Sequence, residues 1–257
     1  GPGGLAAMPS RGVVILGAAS SVARAIGAEF AARGTPLLLA DYDTEEAENN
    51  ARDLATRYGV QCEARHFDAL AYESHGRFTE RAADFFGAPP HGVVLCFGFM
   101  AEQEDAARDF TIAKRMLDTN LTGAVSVLER FAALLSARGQ GGFICALSSV
   151  AGDRGKQSNY IYGASKAGLT CYLDGLRNRL YPAGVDVICV KPGFMDTAMT
   201  YGMPLPGPLV ATPAQAGKAI HRAIVRRRHT VYVRWFWRYI MRIICAVPEW
   251  QFKKMKM

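Results

Sequence analysis

Residues 158–168 read SNYIYGASKAG and place Tyr162 four residues before Lys166. On a helix that offset puts both side chains on one face, one turn apart. A free tyrosine titrates near pH ~10 and a free lysine near ~10.4. An ammonium fixed ~5 Å from a phenol oxygen stabilises the phenolate by roughly 3 kcal/mol at an effective dielectric of ~20. That lowers the phenol by about two pH units, and a phenol so tuned exchanges a proton with a substrate oxygen near neutral pH. Tyr160 has Ala164 at the same offset and gains no such help, so it reads as a pocket wall or a packing residue. Two serines, Ser148 and Ser149, stand upstream in CALSSVAG as candidates for the same centre. A Tyr-Lys pair at this spacing also arises by chance on helix surfaces, so its weight depends on what surrounds it.

A second set of residues suits a phosphate-bearing ligand. Gly17 in GAASSVARAIG ends an apolar run and opens a tight turn into a helix start. Free N–H groups and the helix dipole favour phosphate there. Ser20 and Ser21 add hydroxyl donors, with Val22 beside them in the first turn. Small residues after a strand also simply allow close helix packing. Asp41 adds weight, because it ends the next apolar run about twenty residues on. A carboxylate at that place suits a ribose diol and repels a 2′-phosphate. No Arg follows Asp41 directly, which favours NAD(H) over NADP(H). Asp41 also reads as a helix cap in DYDTEE, for which Asp43 and Thr44 serve at least as well.

These residues need elements to hold them. VVILG (13–17), PLLLAD (36–41), a run near 61–67, VVLCFG (93–98), GFICALSS (142–149), VDVICVKPG (185–193) and TVYV (230–233) read as strands. Helical patterns cover 21–34, 44–58, roughly 106–137, and from near Tyr160 to before Pro182. Thr212 and Pro213 suit the N-cap and first position of a helix through Arg226. Apolar strands separated by long helices imply βαβ units and a parallel sheet covered on both faces. The expected fold is α/β, a single-domain Rossmann-type doubly wound sheet of about seven strands. The domain spans 11–234, preceded by residues 1–10 as a tag remnant or disordered leader and followed by a basic extension over 235–257. GPGGLAAM lacks the charged n-region and apolar core of a signal peptide.

Taken together, the motifs resemble the short-chain dehydrogenase/reductase family from about residue 12 to residue 235. The matching pieces are Gly17, Asp41, Asp68-Ala69 after the third strand, Gly98 after the fourth, Asn120 in DTNLTG, Ser149 in SSVAG, Tyr162 and Lys166 in YGASK, and KPGFMDT over 191–197. The resemblance implies that Tyr162 is the general acid/base and that Lys166 lowers its pKa and holds the nicotinamide ribose. It implies that Ser149, thirteen residues before Tyr162, hydrogen-bonds the reacting oxygen. Asn120 would support a water linking Lys166 to solvent, and Asp68 would meet the adenine amine. Pro192, Gly193, Phe194 and Thr197 would border the nicotinamide. Singly, each has a bland reading: Asn120 as a helix kink, Ser148 as a strand-end hydroxyl, Thr197 as a loop cap. The implied activity is the interconversion of a secondary alcohol and a ketone with NAD or NADP, in a cytoplasmic homodimer or homotetramer.

The sequence departs from the family pattern in two places. Ser21 and Ala23 replace the second and third glycines of the usual GxxxGxG turn, and LCFG (95–98) replaces NNAG, so that Gly98 alone survives. The GxxxSxA form and the tail look more like the branch containing reductases of polyprenyl-phosphate-linked keto-sugars such as decaprenylphosphoryl-2-keto-ribose. The stretch 196–213, where the family carries its substrate lid, holds Met199, Met203, Leu205, Leu209 and Val210. Such a lid favours a bulky or lipidic substrate, or else packs on the core when closed.

Charge divides the chain. Its net charge is +7, yet residues 221–257 hold ten Lys/Arg against Glu249 alone, so this segment carries +9 and the rest −2. A near-neutral body excludes a general nucleic-acid binder, and the basic stretch lacks a recognition module. Arg234, Arg238 and Arg242 recur every four residues, and all three tryptophans (Trp235, Trp237, Trp250) lie in the same tail. That pattern suits an interfacial helix on the inner face of an anionic membrane, or an oligomer contact with a sister subunit over the apolar side. The six cysteines form no CxxC and stand at no metal spacing to histidine, so they read as buried, reduced thiols without a metal. Two functions stay open: an NAD(H)-dependent oxidoreductase acting on a small-molecule substrate, and a non-catalytic cofactor-binding or membrane-docking scaffold. The intact catalytic set favours the enzyme.

Overall fold

Val13–Leu16, the first strand (β1), carries four aliphatic side chains, each 1% exposed or less. A strand apolar on both faces must lie between two others and between two helical layers. β1 pairs in parallel with β2 (Leu37–Asp41) on one side and β4 (Gly92–Leu95) on the other. Outside these lie β3 (Cys62–His66), β5 (Gly142–Leu147), β6 (Val185–Pro192) and β7 (Thr230–Val233). Among the described residues, 12–196 and 207–256 of a computed structural model, the order is β3-β2-β1-β4-β5-β6-β7. Strand order reverses between β1 and β4, and in such sheets the crevice at the carboxyl ends of the strands there takes ligands. Thr197 and most of the lid (Met199, Met203, Leu205) lie outside the described residues.

Alternation along β1 divides the core. Val14 and Leu16 face a layer built from α3 (His75–Phe86), α6 (Ala124–Arg138) and α7 (Tyr160–Leu180). Val13 and Ile15 face α1 (Ser21–Ala31), α2 (Thr44–Tyr58) and α8 (Pro213–Val225). Thr212 caps α8 with a full capping box to Gln215, behind Pro213. After β7 come α9 (Trp237–Ala246) and α10 (Glu249–Phe252).

Three expectations from the sequence differ from this structure. No helix is expected over 75–86, yet α3 forms there, where Phe78, Ala82 and Phe86 recur every four residues before Gly87 at φ 68°. The continuous helix over 106–137 is instead α4 (Gln103–Arg108), α5 (Phe110–Leu117), a π-helical segment (Asp118–Gly123) and α6. Asp109, extended at φ −121°, breaks the first pair, and its side chain caps α5 by accepting from Thr111 N at 2.8 Å. Of the cysteines, Cys145 and Cys189 are buried, but Cys171 and Cys245 are exposed. No described helix is long and apolar enough to cross a membrane.

Candidate active site

α7 begins against the crevice, and its first turn is capped from a distance: Gln103 Oε1 of α4 accepts from Ile161 N at 3.0 Å. This start places Tyr162 and Lys166 one turn apart, with the ammonium 5.8 Å from the phenol ring centroid. Lys166 is 4% exposed and donates to the Leu147 carbonyl at the end of β5, 2.9 Å away. Ser149, just past β5, uses its hydroxyl to accept from Ala151 N at 3.0 Å and turns its side chain toward the Tyr162 phenol. Ser148 points the other way: its hydroxyl donates to Lys166 O at 2.9 Å and meets Thr170 Oγ1 at 2.7 Å, tying strand to helix.

Electrostatics here differ from the expected lowering of the phenol. Burial pushes Tyr162 up to about 12, with a hydrogen bond to Ser149 acting in the opposite direction. Burial also brings Lys166 down to about 8. Desolvation disfavours both charged forms, and the ammonium is engaged by a carbonyl rather than by the phenol oxygen. The phenol therefore rests protonated at neutral pH.

Asn120 sits in the π-helical segment, 1% exposed. Its Oδ1 accepts from Phe99 N at 2.7 Å, and its Nδ2 donates to Phe99 O at 2.8 Å and to Ser165 Oγ at 3.0 Å. A methyl placed on Gly98 would lie 3.3 Å from Asn120 Oδ1 and 3.4 Å from Lys166 Nζ. Gly98, Asn120 and Lys166 are thus brought to one point.

The cofactor candidates gather along the same crevice. Gly17 stands at φ 80°, and a Cβ there would meet Phe97 N at 2.4 Å, so glycine is required on both grounds. Ser20 caps α1, accepting from Ala23 N at 3.1 Å. The Val22 side chain is 2% exposed in the core, leaving its backbone N–H as the group at the helix end. Asp41 accepts from Ala19 N and Asp43 N, both at 2.9 Å, so it braces the turn as well as facing the cleft. A cavity of about 410 Å³ is lined by Gly17, Asp41, Asp68, Ala69 and Gly98. Phe97 stands where the family's NNAG has its alanine and packs at 5.7 Å on Phe67. Whether a dinucleotide fits is answered at α1: Ser21 Oγ is buried without a hydrogen-bond partner at the helix N-terminus. An orphan donor beside first-turn N–H groups is what a pyrophosphate would satisfy. A larger cavity, of about 960 Å³, opens among Val13, Phe30, His91 and His221, away from Tyr162.

Pro192, Gly193 and Phe194, expected beside the nicotinamide, are joined to the tail, and Asp153, Arg154 and Arg115, which the sequence did not single out, contribute to the same region. Pro192 is buried at the end of β6, and a Cβ on Gly193 would meet Trp237 Nε1 at 2.0 Å. Phe194 stands edge-on to Trp237 at 5.2 Å, so its ring lies in a cluster with Val150, Trp237 and Met241. Trp237 is 5% exposed. Arg154, five residues past Ser149, donates to the carbonyls of Ile244 and Val247 at 2.7 and 2.6 Å. It also pairs with Glu249 at 3.0 Å and covers the Phe252 ring at 3.7 Å. Asp153 accepts from Lys191 Nζ at 2.5 Å and from Tyr232 Oη at 2.8 Å. Arg115 covers the Phe99 ring at 4.3 Å and lines the cofactor cavity. The three tryptophans marked the tail as unusual, but its partners lie some ninety residues away in the chain.

Comparison with known proteins identifies the family and the fold. Residues 11–204 match the model of the short chain dehydrogenase family. An uncharacterised oxidoreductase of Mycobacterium tuberculosis is 31% identical over 243 residues, covering 95% of this chain and 96% of that one. An uncharacterised oxidoreductase of Streptomyces coelicolor is 34% identical over 250 residues, covering 96% of each. A solved structure provisionally assigned as a short-chain alcohol dehydrogenase, from Sinorhizobium meliloti, superposes with a TM-score of 0.80 at 20% identity. It covers 90% of this chain and 98% of its own.

Proposed function

The chain belongs to the short chain dehydrogenase family, and from that premise we propose that it interconverts a secondary alcohol and a ketone using NAD(H). The observation that carries this reading is Ser149 turned toward the Tyr162 phenol, with Lys166 one turn further along the same helix. The nicotinamide, when bound, supplies or accepts the hydride. Tyr162 gives its proton to the substrate oxygen during reduction and takes it back during oxidation. Burial keeps that phenol protonated and ready to donate at neutral pH, which favours ketone reduction. Ser149 holds the same oxygen by hydrogen bond. Lys166 places a cation under the phenol, and Asn120 fixes the chain beside it through Phe99.

The orphan Ser21 hydroxyl and the first-turn N–H groups would hold the pyrophosphate, and Asp41 would take the ribose diol. Asp41 in the cavity favours NAD(H) over NADP(H). The apolar Leu209 and Phe194, at the two ends of the substrate loop, favour a bulky, lipid-linked ketone over a small polar one. Fluorescence titration with NADH and NADPH tests the cofactor, and turnover of a panel of ketones that includes polyprenyl-phosphate keto-sugars tests the substrate. NADH should bind at least tenfold more tightly than NADPH, and Asp41→Asn should narrow that gap. Binding of neither nucleotide would replace this reading with the scaffold reading.

A further inference from the structure

The tail that grips the site has a second face, and it is open. Trp235, in the turn entering α9, is 73% exposed, Tyr239 is 54% and Ile243 is 69%. Spaced four apart, they form one stripe, with the Trp235 and Tyr239 rings edge-on at 5.9 Å. Beside the stripe runs a groove of about 580 Å³ between α8 and the edge strand β7. Five arginines line it (Arg222, Arg226, Arg228, Arg234 and Arg238), and no carboxylate does. Arg234 donates to the Val210 carbonyl at 3.0 Å, and among the described residues none of the five makes an ion pair. Arg242 is exposed on the same helix, and Lys253, Lys254 and Lys256 follow it. So many cations within a Debye length repel one another unless an anionic partner answers them.

We propose that this face seats an anionic bilayer surface and so brings the catalytic centre to its substrate. The inference rests on the proposal that the substrate is lipid-linked, and it names where that lipid lies. Exposed aromatic and aliphatic side chains beside guanidinium groups are the chemistry of an interfacial helix. A second copy of the chain fits less well, because a two-fold contact through this face sets the same arginines against one another. A polynucleotide answers the arginines but leaves Ile243 uncovered. Position also favours the bilayer. The inner side of α9 grips Phe194 and Leu209, which flank the substrate loop, so a surface held on its outer side lies about one helix diameter, ~10 Å, from them.

Co-sedimentation with vesicles tests the proposal, using phosphatidylcholine alone and phosphatidylcholine with 30% phosphatidylglycerol. The full chain should pellet with the anionic vesicles at least tenfold more strongly than with the neutral ones, and salt should weaken the binding. Combined Arg226→Glu, Arg228→Glu and Arg238→Glu should abolish the preference, and combined Trp235→Ser and Ile243→Ser should weaken pelleting at fixed charge. NADH titration and thermal unfolding confirm that each variant is folded. Tyr162→Phe should pellet like the wild type, which keeps failure of docking distinct from failure of the catalytic reading. Equal pelleting with both vesicle types, or pelleting indifferent to these substitutions, overturns the proposal. So does size-exclusion chromatography in which Trp235→Ser with Ile243→Ser turns an oligomer into a monomer while leaving pelleting intact.

Discussion

At the scale of single residues, two serines side by side have opposite duties. Ser149 turns toward the phenol, and Ser148 ties β5 to α7. Ser149→Ala should therefore lower kcat by about 10²–10³-fold with little loss of stability, as expected for a donor to the reacting oxygen. Ser148→Ala should leave kcat within a few-fold and cost about 1–3 kcal/mol, because Lys166 O and Thr170 Oγ1 lose the hydroxyl they share. Steady-state kinetics beside urea unfolding separates the two, and a reversed pattern would reassign the site. Tyr162→Phe should cost about 10²–10⁴-fold in kcat with NADH binding retained. Burial brings Lys166 down to about 8 and pushes Tyr162 up to about 12, so the ammonium loses its charge well before the phenol loses its proton. The pH profile of kcat/KM for ketone reduction should fall through an apparent pKa near 8 as the ammonium is neutralised, and Lys166→Met should remove that break. The spacing of Tyr162 and Lys166 was legible because a helical offset is a local property. The direction of the phenol's shift was not, because desolvation depends on every element packed around it.

At the scale of elements, the central strands were readable because each is an apolar run bounded by turn residues, whereas the edge strand β3 (CEARH) is polar and half exposed. The π-helical segment around Asn120 was not, since its break rests on bonds from Asn120 to Phe99, twenty-one residues earlier. The tail was half legible. Its composition announced an unusual helix, but which side is buried is decided by Arg154 and Gly193, which carry no local mark. Arg154 reaches carbonyls at the C-terminus of α9, where unpaired acceptors and the helix dipole favour a cation. Its side chain is 15% exposed, so its loss leaves those acceptors poorly served. Arg154→Ala should release the tail locally at a cost of about 2–3 kcal/mol. Limited trypsin digestion should then cut after Arg238 and Arg242 many-fold faster while the body stays intact. Because Arg154 lies five residues past Ser149, kcat should fall as well, and Arg154→Lys should restore part of both. An unchanged cleavage rate would mean that the tail is held by Trp237 and Met241 alone.

At the scale of the whole molecule, each helical layer contains a buried histidine that answers to pH. His75 is fully buried in α3, stacked at 5.0 Å on Phe67, with Nε2 at 2.9 Å from Asp68 O and Nδ1 at 2.8 Å from Ser126 Oγ. His221, 6% exposed in α8, stands edge-on to Phe30 at 4.8 Å. Burial lowers both below the usual histidine value, with the Arg33 charge adding to the effect at His221. The remaining charged neighbours act in both directions: Asp68, Glu73 and Glu29 raise the pair, and Arg130 lowers His75. Because the folded values lie below the unfolded one, the unfolded chain binds more protons as pH falls past ~6.5. Stability is therefore fully present above that pH and declines below it, before most carboxylates titrate. The urea midpoint should fall between pH 7.5 and pH 5.5 with an unchanged m-value, and His221→Gln should flatten the slope without removing it. A midpoint that stays level across that interval would mean that His75 and His221 take up protons alike in the folded and unfolded chains.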